Sequence, residues 1–412
     1  MTAPRTAIVI GNGVVGLNVA LALQRRGTQV TLIAPDAPWR GASWGNAGHI
    51  AVEQVAPLAS LATVANIPGR LFSRGGAVAL PPKAIDAWLP FSLRLLAAAR
   101  PARFRRGKAA LSAMLASAIP AWQRVLDDVG ASGLLRVDGH FVVWETPQTA
   151  ARGRASWMAA DIGTATVRDA TLEERGQLAT LTDRPIAGAI RFEGSGQITD
   201  TGALGEALLA RFVAAGGAVV HDRARAIAAR DNHAQVTLEE GGQLEADVAV
   251  IAAGAASGAL AASAGMTAPL IAERGYHVEG DPGDWPVDQP PVVFEDRSMI
   301  VTRFADRLRA ASIVEFARTD TPPDPRKWDR LRAHVAALSL PLHSPLEQWM
   351  GARPTLPDYL PAIGRWGPIA YAFGHQHLGL TLAATTGEAL AAALYGEASA
   401  FDLSPFDLAR FG

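Results

Sequence analysis

Three glycines set the first constraint on this chain. Gly11-Asn12-Gly13-Val14-Val15-Gly16 lies between a short apolar run at 7–10 and a helix-periodic run at 17–26. In a strand–turn–helix unit, the first glycine permits a tight turn and the second lets backbone approach a pyrophosphate. The third lets helix and strand pack closely. The helix N-terminus then faces negative charge with unpaired N–H groups. The spacing predicts a dinucleotide site built on Gly11, Gly13, Val14, Val15 and Gly16. Leu17, Ala20, Leu21 and Leu23 share one stripe, Gly27 follows the helix, and 29–33 reads as a second buried strand. A carboxylate commonly binds the ribose at the end of that strand. Here the position is Ala34, and Asp36 is the nearby acidic candidate.

The same grammar returns twice. A helix over 201–215 with Thr201 as its cap, a strand at 218–221, a hairpin turning at Gly241-Gly242 and a buried strand at 246–252 form one block. A strand at 369–373, a glycine-rich turn and a helix over 380–395 form another. The intervening segments differ. They hold amphipathic stretches at 84–99 and 107–130, with Arg94, Arg100, Arg103, Arg105, Arg106 and Lys108 clustered there. Residues 135–144 read as a strand pair around Asp138-Gly139, and 190–198 as a strand with a glycine break. Further strands fall at 292–294, 299–304 and 308–314. The expected fold is α/β plus α+β. A Rossmann-like domain is assembled from 1–60, 195–268 and 346–412, and an interleaved mixed-sheet substrate or cap domain from 61–194 and 269–345.

Composition narrows the chemistry. Of 412 residues, 49 % are hydrophobic and 19 % charged, which suits a chain with a large core. Lys+Arg is 38 against Asp+Glu 39, so no basic surface for nucleic acid is expected. The absence of cysteine excludes disulfides, thiol nucleophiles, cysteine-ligated zinc and iron–sulfur clusters held in this chain. Glycines interrupt the apolar run near the start, which reads as a strand and not a secretory signal. No run is long and apolar enough to predict a membrane-spanning helix.

Gly41-Ala42-Ser43-Trp44-Gly45-Asn46-Ala47-Gly48-His49 resembles the second flavin-contacting loop of the D-amino-acid oxidase/dehydrogenase superfamily, particularly its bacterial D-amino-acid dehydrogenase branch. Gly196-Gln197-Ile198, Ala252-Ala253-Gly254-Ala255, Thr302-Arg303-Phe304 with Leu308-Arg309 and Glu315, Gly351-Ala352-Arg353-Pro354, and Gly374-His375 with Leu378-Gly379-Leu380-Thr381 continue the resemblance in order. It is weakest at 55–130 and 145–185. It implies FAD as cofactor, with Ser43, Asn46, Ala47 and Gly48 beside it in the first loop. Ala253 and Gly254 would lie at a strand end, and Gly374, His375, Gly379, Leu380 and Thr381 in the C-terminal loop. Without cysteine, attachment is non-covalent or through another residue such as histidine.

The resemblance makes Arg353 the residue that binds a substrate carboxylate, a task its planar fork suits. Tyr276 falls where relatives often carry an active-site tyrosine, with Tyr359 as an alternative. His49 follows the flavin loop, where it would orient substrate or shuttle a proton. His375 and His377 form an HxH pair without further placeable ligands, so no metal site is expected. Some oxidases of the family carry arginine at the position of His377. The implied reaction is oxidative deamination of D-amino acids, with electrons passed to a quinone or another acceptor. The variants are a dehydrogenase or oxidase for D-hydroxyproline, glycine or an N-methyl amino acid. The alternative of another class is a flavin-carrying subunit, inactive without electron-transfer partners. The expected setting is cytoplasmic, with peripheral contact to the inner face of the membrane through the basic stretch.

Overall fold

The computed structural model describes residues 3–35, 41–343 and 345–412. Asp36 lies outside the described residues. Among them the strands form four sheets. The nucleotide-type sheet has six strands in the order Ala218–Val220, Gln29–Ile33, Thr6–Ile10, Val248–Ile251, Ile369–Phe373 and Ala362–Trp366. All neighbours are parallel except the last pair, a hairpin. Parallel strands need both faces covered, and this sheet has that. Ala7 and Val9 face a helical layer of Val14–Gln24, Thr201–Ala214 and Gly379–Leu394. Ile8 and Ile10 face the opposite way, onto an antiparallel meander of Ala224–Arg230, His233–Leu238 and Gln243–Ala246.

Helices Val14–Gln24 and Gly379–Leu394 cross closely because Gly387 has no side chain. A methyl there would sit 2.6 Å from the Asn18 carbonyl oxygen. Trp122, fully buried, joins the same layer and donates its indole N–H to the Leu380 carbonyl at 2.9 Å.

The second large sheet is mixed. Its order is Glu347–Thr355, Ile271–Gly280, Leu308–Ala317, Met299–Arg303, Val292–Phe294, His140–Trp144, Gly188–Glu193 and Thr166–Asp169, with Val78–Ala79 beside Leu308–Ala317. Strand Glu347–Thr355 falls in the segment expected for the nucleotide domain, yet it pairs along Ile271–Gly280 in this sheet. A small sheet of His49–Ile50, Gly196–Ile198 and Leu135–Arg136 lies between the two large ones in chain connectivity.

Three local expectations need correction. Residues 135–144 form two strands, but not a pair. Leu135–Arg136 joins Gly196–Ile198, while His140–Trp144 joins Gly188–Glu193 and Val292–Phe294. Gly139, at φ 75°, redirects the chain between sheets, with no room for a side chain against the Phe192 carbonyl. The 107–130 stretch is two helices, Pro101–Ala116 and Ala118–Asp128, broken at Ser117, whose hydroxyl turns back to the Met114 carbonyl at 2.8 Å. The helix near 201 is capped by Asp200, which accepts from Gly202 and Ala203 N–H at 2.8 and 2.9 Å. The Thr201 hydroxyl donates instead to the Trp44 carbonyl at 3.1 Å. Removing the Asp200 cap leaves two first-turn donors without their partner. Asp200→Ala should therefore cost about 1 kcal/mol in urea denaturation. An unchanged midpoint would show that the cap carries no stability.

Candidate active site

A cleft of about 840 Å³ opens at the C-terminal edge of the parallel sheet. Ligands bind there in open α/β sheets because strand ends and helix N-termini converge. Gly11, at φ 114°, turns the chain out of its strand, and a methyl there would overlap the Ala252 carbonyl oxygen. A methyl at Gly16 would overlap the Gly11 carbonyl in the same way. Strand, turn and helix thus meet with no intervening side chain. Val14 N–H donates to the Ser43 hydroxyl at 3.1 Å, tying the second loop to the first. Helix Gly379–Leu394 also begins at this cleft, where Gly379 and Leu380 line the wall. Two helix N-termini therefore place partial positive charge around one cavity.

The 41–48 loop is braced from both sides. Asn46 accepts from Gly48 N–H at 2.9 Å through its side-chain oxygen. The backbone carbonyls of Trp44 and Asn46 both accept from Arg309, which is 1 % exposed and held by Glu279 at 2.7 Å. The C-terminal loop is fixed similarly. Gly374 takes φ 80°, His375 shares a hydrogen bond with the Thr386 hydroxyl at 2.9 Å, and Thr381 accepts from Ala51 N–H at 3.0 Å. Ala253 and Gly254 line the cleft opposite Gly11. Asp222, Arg223 and Arg225 line it as well; no motif in the sequence drew attention to them.

Arg353 enters the other end of the cleft from strand Glu347–Thr355. Its side chain is 30 % exposed, and its Nη1 lies 3.4 Å from Glu273. Glu273 is its cross-strand neighbour and is almost fully buried. The second Glu273 oxygen accepts from Thr355 at 3.0 Å and from Tyr359 at 3.2 Å. Burial, and then the Glu273 charge, push the Tyr359 phenol well above its usual range, so it stays a donor. Gly275 leaves the space that the Arg353 guanidinium occupies. Trp349 lies over Gly45 and Gly351 and stacks on His277, ring centroids 5.0 Å apart. With Ile300 it gives this end an apolar wall.

Tyr276 is not part of this cleft. Residues on one strand alternate between faces, and Glu273, Gly275 and His277 take the cleft side. Tyr276 points into the opposite core, 1 % exposed, and its hydroxyl donates to Glu315 at 2.5 Å. Arg274 and Lys327 reach the same carboxylate at 3.4 and 2.9 Å. Tyr359 is likewise buried and reaches Arg353 only through Glu273.

His49 does line the cleft. Its Nε2 meets Glu53 at 3.0 Å, and its ring lies edge-on to His140 at 4.5 Å. Burial would raise the Glu53 carboxyl, but the charge and hydrogen bond of His49 outweigh it and hold the pKa at about 2. His140 bonds Ser195 through Nδ1 at 2.9 Å. The sequence expectation of no metal site considered only His375 and His377, which do not meet a third ligand among the described residues. The structure gathers His49, Glu53 and His140 instead, with one donor atom of each within 4.8 Å of the others. Their separation in sequence hid this set.

The cavity tests well against a dinucleotide flavin: glycine turns without room for side chains, two helix N-termini and a long cleft ending at a cation. The family model for FAD dependent oxidoreductases, DAO, matches residues 6–393. The chain belongs to the DAO family of FAD-dependent oxidoreductases. A D-amino-acid oxidase of Bradyrhizobium diazoefficiens is 32 % identical over 419 residues, covering 99 % of each chain. A D-amino acid dehydrogenase 2 of Pseudomonas aeruginosa is 30 % identical, covering 93 % of each. Glycine oxidase from Geobacillus kaustophilus superposes with a TM-score of 0.73 at 21 % identity, over 99 % of both chains. L-proline dehydrogenase from P. horikoshii superposes at 0.71 and 17 %, over 100 % of this chain and 98 % of the other. The chain is thus a flavoprotein oxidoreductase acting on amino acids, with FAD as cofactor and a Rossmann-like DAO fold.

Burial holds several histidines neutral in this DAO-family fold. His140 is lowered to about 3 by burial and then by the His49 charge. His375 is lowered to about 3 and His377 to about 4, burial being the leading cause in both. Unfolded histidine takes a proton near pH 6.5, so the unfolded chain binds more protons below that value. Stability is therefore complete above about pH 6.5 and is lost as pH falls toward 4 and 3. Glu53 adds to the loss below about pH 4.5. The melting temperature should drop steadily from pH 7 to 4.5 in scanning calorimetry. A flat profile would contradict the neutral assignment.

Proposed function

We propose that this chain is an FAD-dependent D-amino-acid dehydrogenase, passing electrons to a quinone or another external acceptor. The observation that carries the reading is Arg353 at the apolar end of the cleft, held by a buried carboxylate that leaves its outer face open. Support for the D-configuration comes from the D-amino-acid names of relatives at about one-third identity over nearly the whole chain.

Gly11, Gly13, Val14, Val15, Gly254, Gly379 and Leu380 would hold the FAD along the floor and walls. Ser43, Asn46, Ala47 and Gly48 shape the adjoining loop, and Gly16, Ala253, Gly374, His375 and Thr381 fix the strand and helix ends around it. FAD supplies the two-electron acceptor for the substrate α-hydrogen. Arg353 binds the substrate carboxylate by its guanidinium fork and fixes which substituent of the α-carbon faces the cofactor. Glu273 aims Arg353, with Thr355 and Tyr359 holding Glu273 in place. Trp349 and Ile300 exclude water from the α-carbon and receive the side chain. The His49 Nε2 lies 3.0 Å from Glu53, which orients the ring beside the substrate. The substrate amine must be neutral when the hydride leaves. The imine product is then hydrolysed to a 2-oxo acid and ammonia.

The nucleotide-type unit would bind the cofactor, and the mixed-sheet unit, which strand Glu347–Thr355 joins, would bind substrate. No helix among the described residues is long and apolar enough to cross a membrane. Delivery to a membrane quinone would then be peripheral, at the inner face, which the basic 94–108 stretch supports.

The test is a panel of D- and L-amino acids, glycine, hydroxyprolines and N-methyl amino acids, assayed with oxygen, a dye and a quinone. Turnover of D-amino acids with dye or quinone is expected. Turnover confined to glycine, to cyclic substrates or to oxygen would overturn the assignment, and flavin retention without any turnover would favour a subunit needing partners. Arg353→Ala should lower kcat/KM by about 10²–10³-fold with flavin retained, the loss typical of a buried charged contact. Unchanged turnover would remove Arg353 from its role.

A further inference from the structure

Helix Ile85–Ala98 carries two opposed apolar faces. Phe91 and Ala98, flanked by Trp88 and Leu95, pack inward with Ala59, Ile271 and Tyr359. Ile85, Leu89, Leu93 and Leu96 stand exposed at 49, 44, 60 and 44 %. At 3.6 residues per turn these four fall within roughly 80° of arc, away from the packed side. Leu58 and Leu61, exposed at 40 and 57 %, bracket Ala59, which lies in the cluster under the same helix. Helix Leu61–Arg70, which follows, buries none of its residues. Single exposed leucines need no explanation, but a contiguous stripe of them marks an interaction surface.

The charge around the stripe is one-sided. Between residues 85 and 110 the sole acid is Asp86, and it is paired with Arg318. Arg94 lies on the same helix, roughly 100° round from the nearest leucine, and Arg100, Arg103, Arg105 and Arg106 follow at the helix C-terminal end. All five are exposed, and no salt bridge is formed by any of them among the described residues. Lys108, next in line, is the first cation of the run with an acidic partner, Asp161 at 2.9 Å.

We propose that this face docks on an anionic lipid bilayer, with the leucine stripe at the acyl boundary and the exposed arginines at its C-terminal end reaching lipid phosphates. It gives a surface to the membrane reading stated above and rests on that reading only for its biological purpose. The bilayer is the occupant that uses both features, apolar depth and unpaired positive charge. A second copy packed on the leucines would offer the arginines no unpaired acid from this segment, since Asp86 is already taken by Arg318. A nucleic acid would engage the arginines and leave the leucines in water. The packed side of the helix touches Tyr359, which donates to Glu273, the residue that holds Arg353. Docking on this face therefore places the substrate end of the cleft one packing layer from the bilayer.

The experiment is co-sedimentation of the flavin-loaded protein with phosphatidylcholine vesicles, with and without phosphatidylglycerol, at low and high salt. Binding to the anionic vesicles, weakened by salt and weak on phosphatidylcholine alone, is expected. Leu89→Ser/Leu93→Ser and Arg100→Gln/Arg103→Gln change only exposed positions outside the cleft. Each pair should reduce partitioning by about tenfold or more, with flavin absorbance and melting temperature unchanged. No binding to anionic vesicles overturns the proposal. So does a dimer in solution that the leucine pair converts to monomer while vesicle binding persists. Because binding is read by sedimentation and not turnover, a failed substrate panel leaves this result readable.

Discussion

Two carbonyl oxygens with nothing beside them organise the nucleotide end of this molecule. The Gly11 carbonyl fills the space where Gly16 would carry a side chain, and the Ala252 carbonyl does the same for Gly11. These contacts draw strand Thr6–Ile10, helix Val14–Gln24 and the end of strand Val248–Ile251 to one point. That convergence aims the N-terminus of helix Val14–Gln24 into the cleft. The helix N-terminus has no side-chain cap of its own, and Ser43 reaches over from the next loop to supply one acceptor.

The mixed sheet contributes a second kind of order, based on charges buried in pairs. Arg309 with Glu279 holds the Trp44 and Asn46 carbonyls, so the mixed sheet also fixes a loop that lines the cleft. Glu273 does the equivalent for Arg353, while Glu315 gathers Tyr276, Arg274 and Lys327 on the far face. Each buried carboxylate has several partners, and removing one partner strands a charge in low dielectric. Such networks hold geometry well because a half-made version is so unfavourable.

Much of this was legible in the sequence because it is local. The strands at 29–33, 292–294 and 369–373 and the glycine loop announce themselves by period and spacing, and the structure places them as read. The 41–47 loop and Arg353, singled out by motifs that are contiguous in the chain, both line the cleft. What escaped depends on strand face or on distant partners. Tyr276 has the right neighbours in sequence, but strand alternation sends it into the opposite core. Glu273 lies 80 residues from Arg353, and His140 lies far from His49, so neither pairing has a local signature. Asp200 and Thr201 are both good cap residues, and only the backbone decides which one caps.

The strand order of the parallel sheet has a consequence for biosynthesis. Its two central strands are Thr6–Ile10 and Val248–Ile251, and the latter's outer neighbour is Ile369–Phe373. Helix Gly379–Leu394, which closes the cleft from the other side, comes later still. A ribosome emitting this chain from the N-terminus releases the glycine loop hundreds of residues before the partners that shape its cavity. Contacts of such long sequence separation form late and slowly. The cleft is therefore completed only once the last of these segments has emerged, and the exposed half-sheet that waits for it must be kept from pairing with other chains in the meantime.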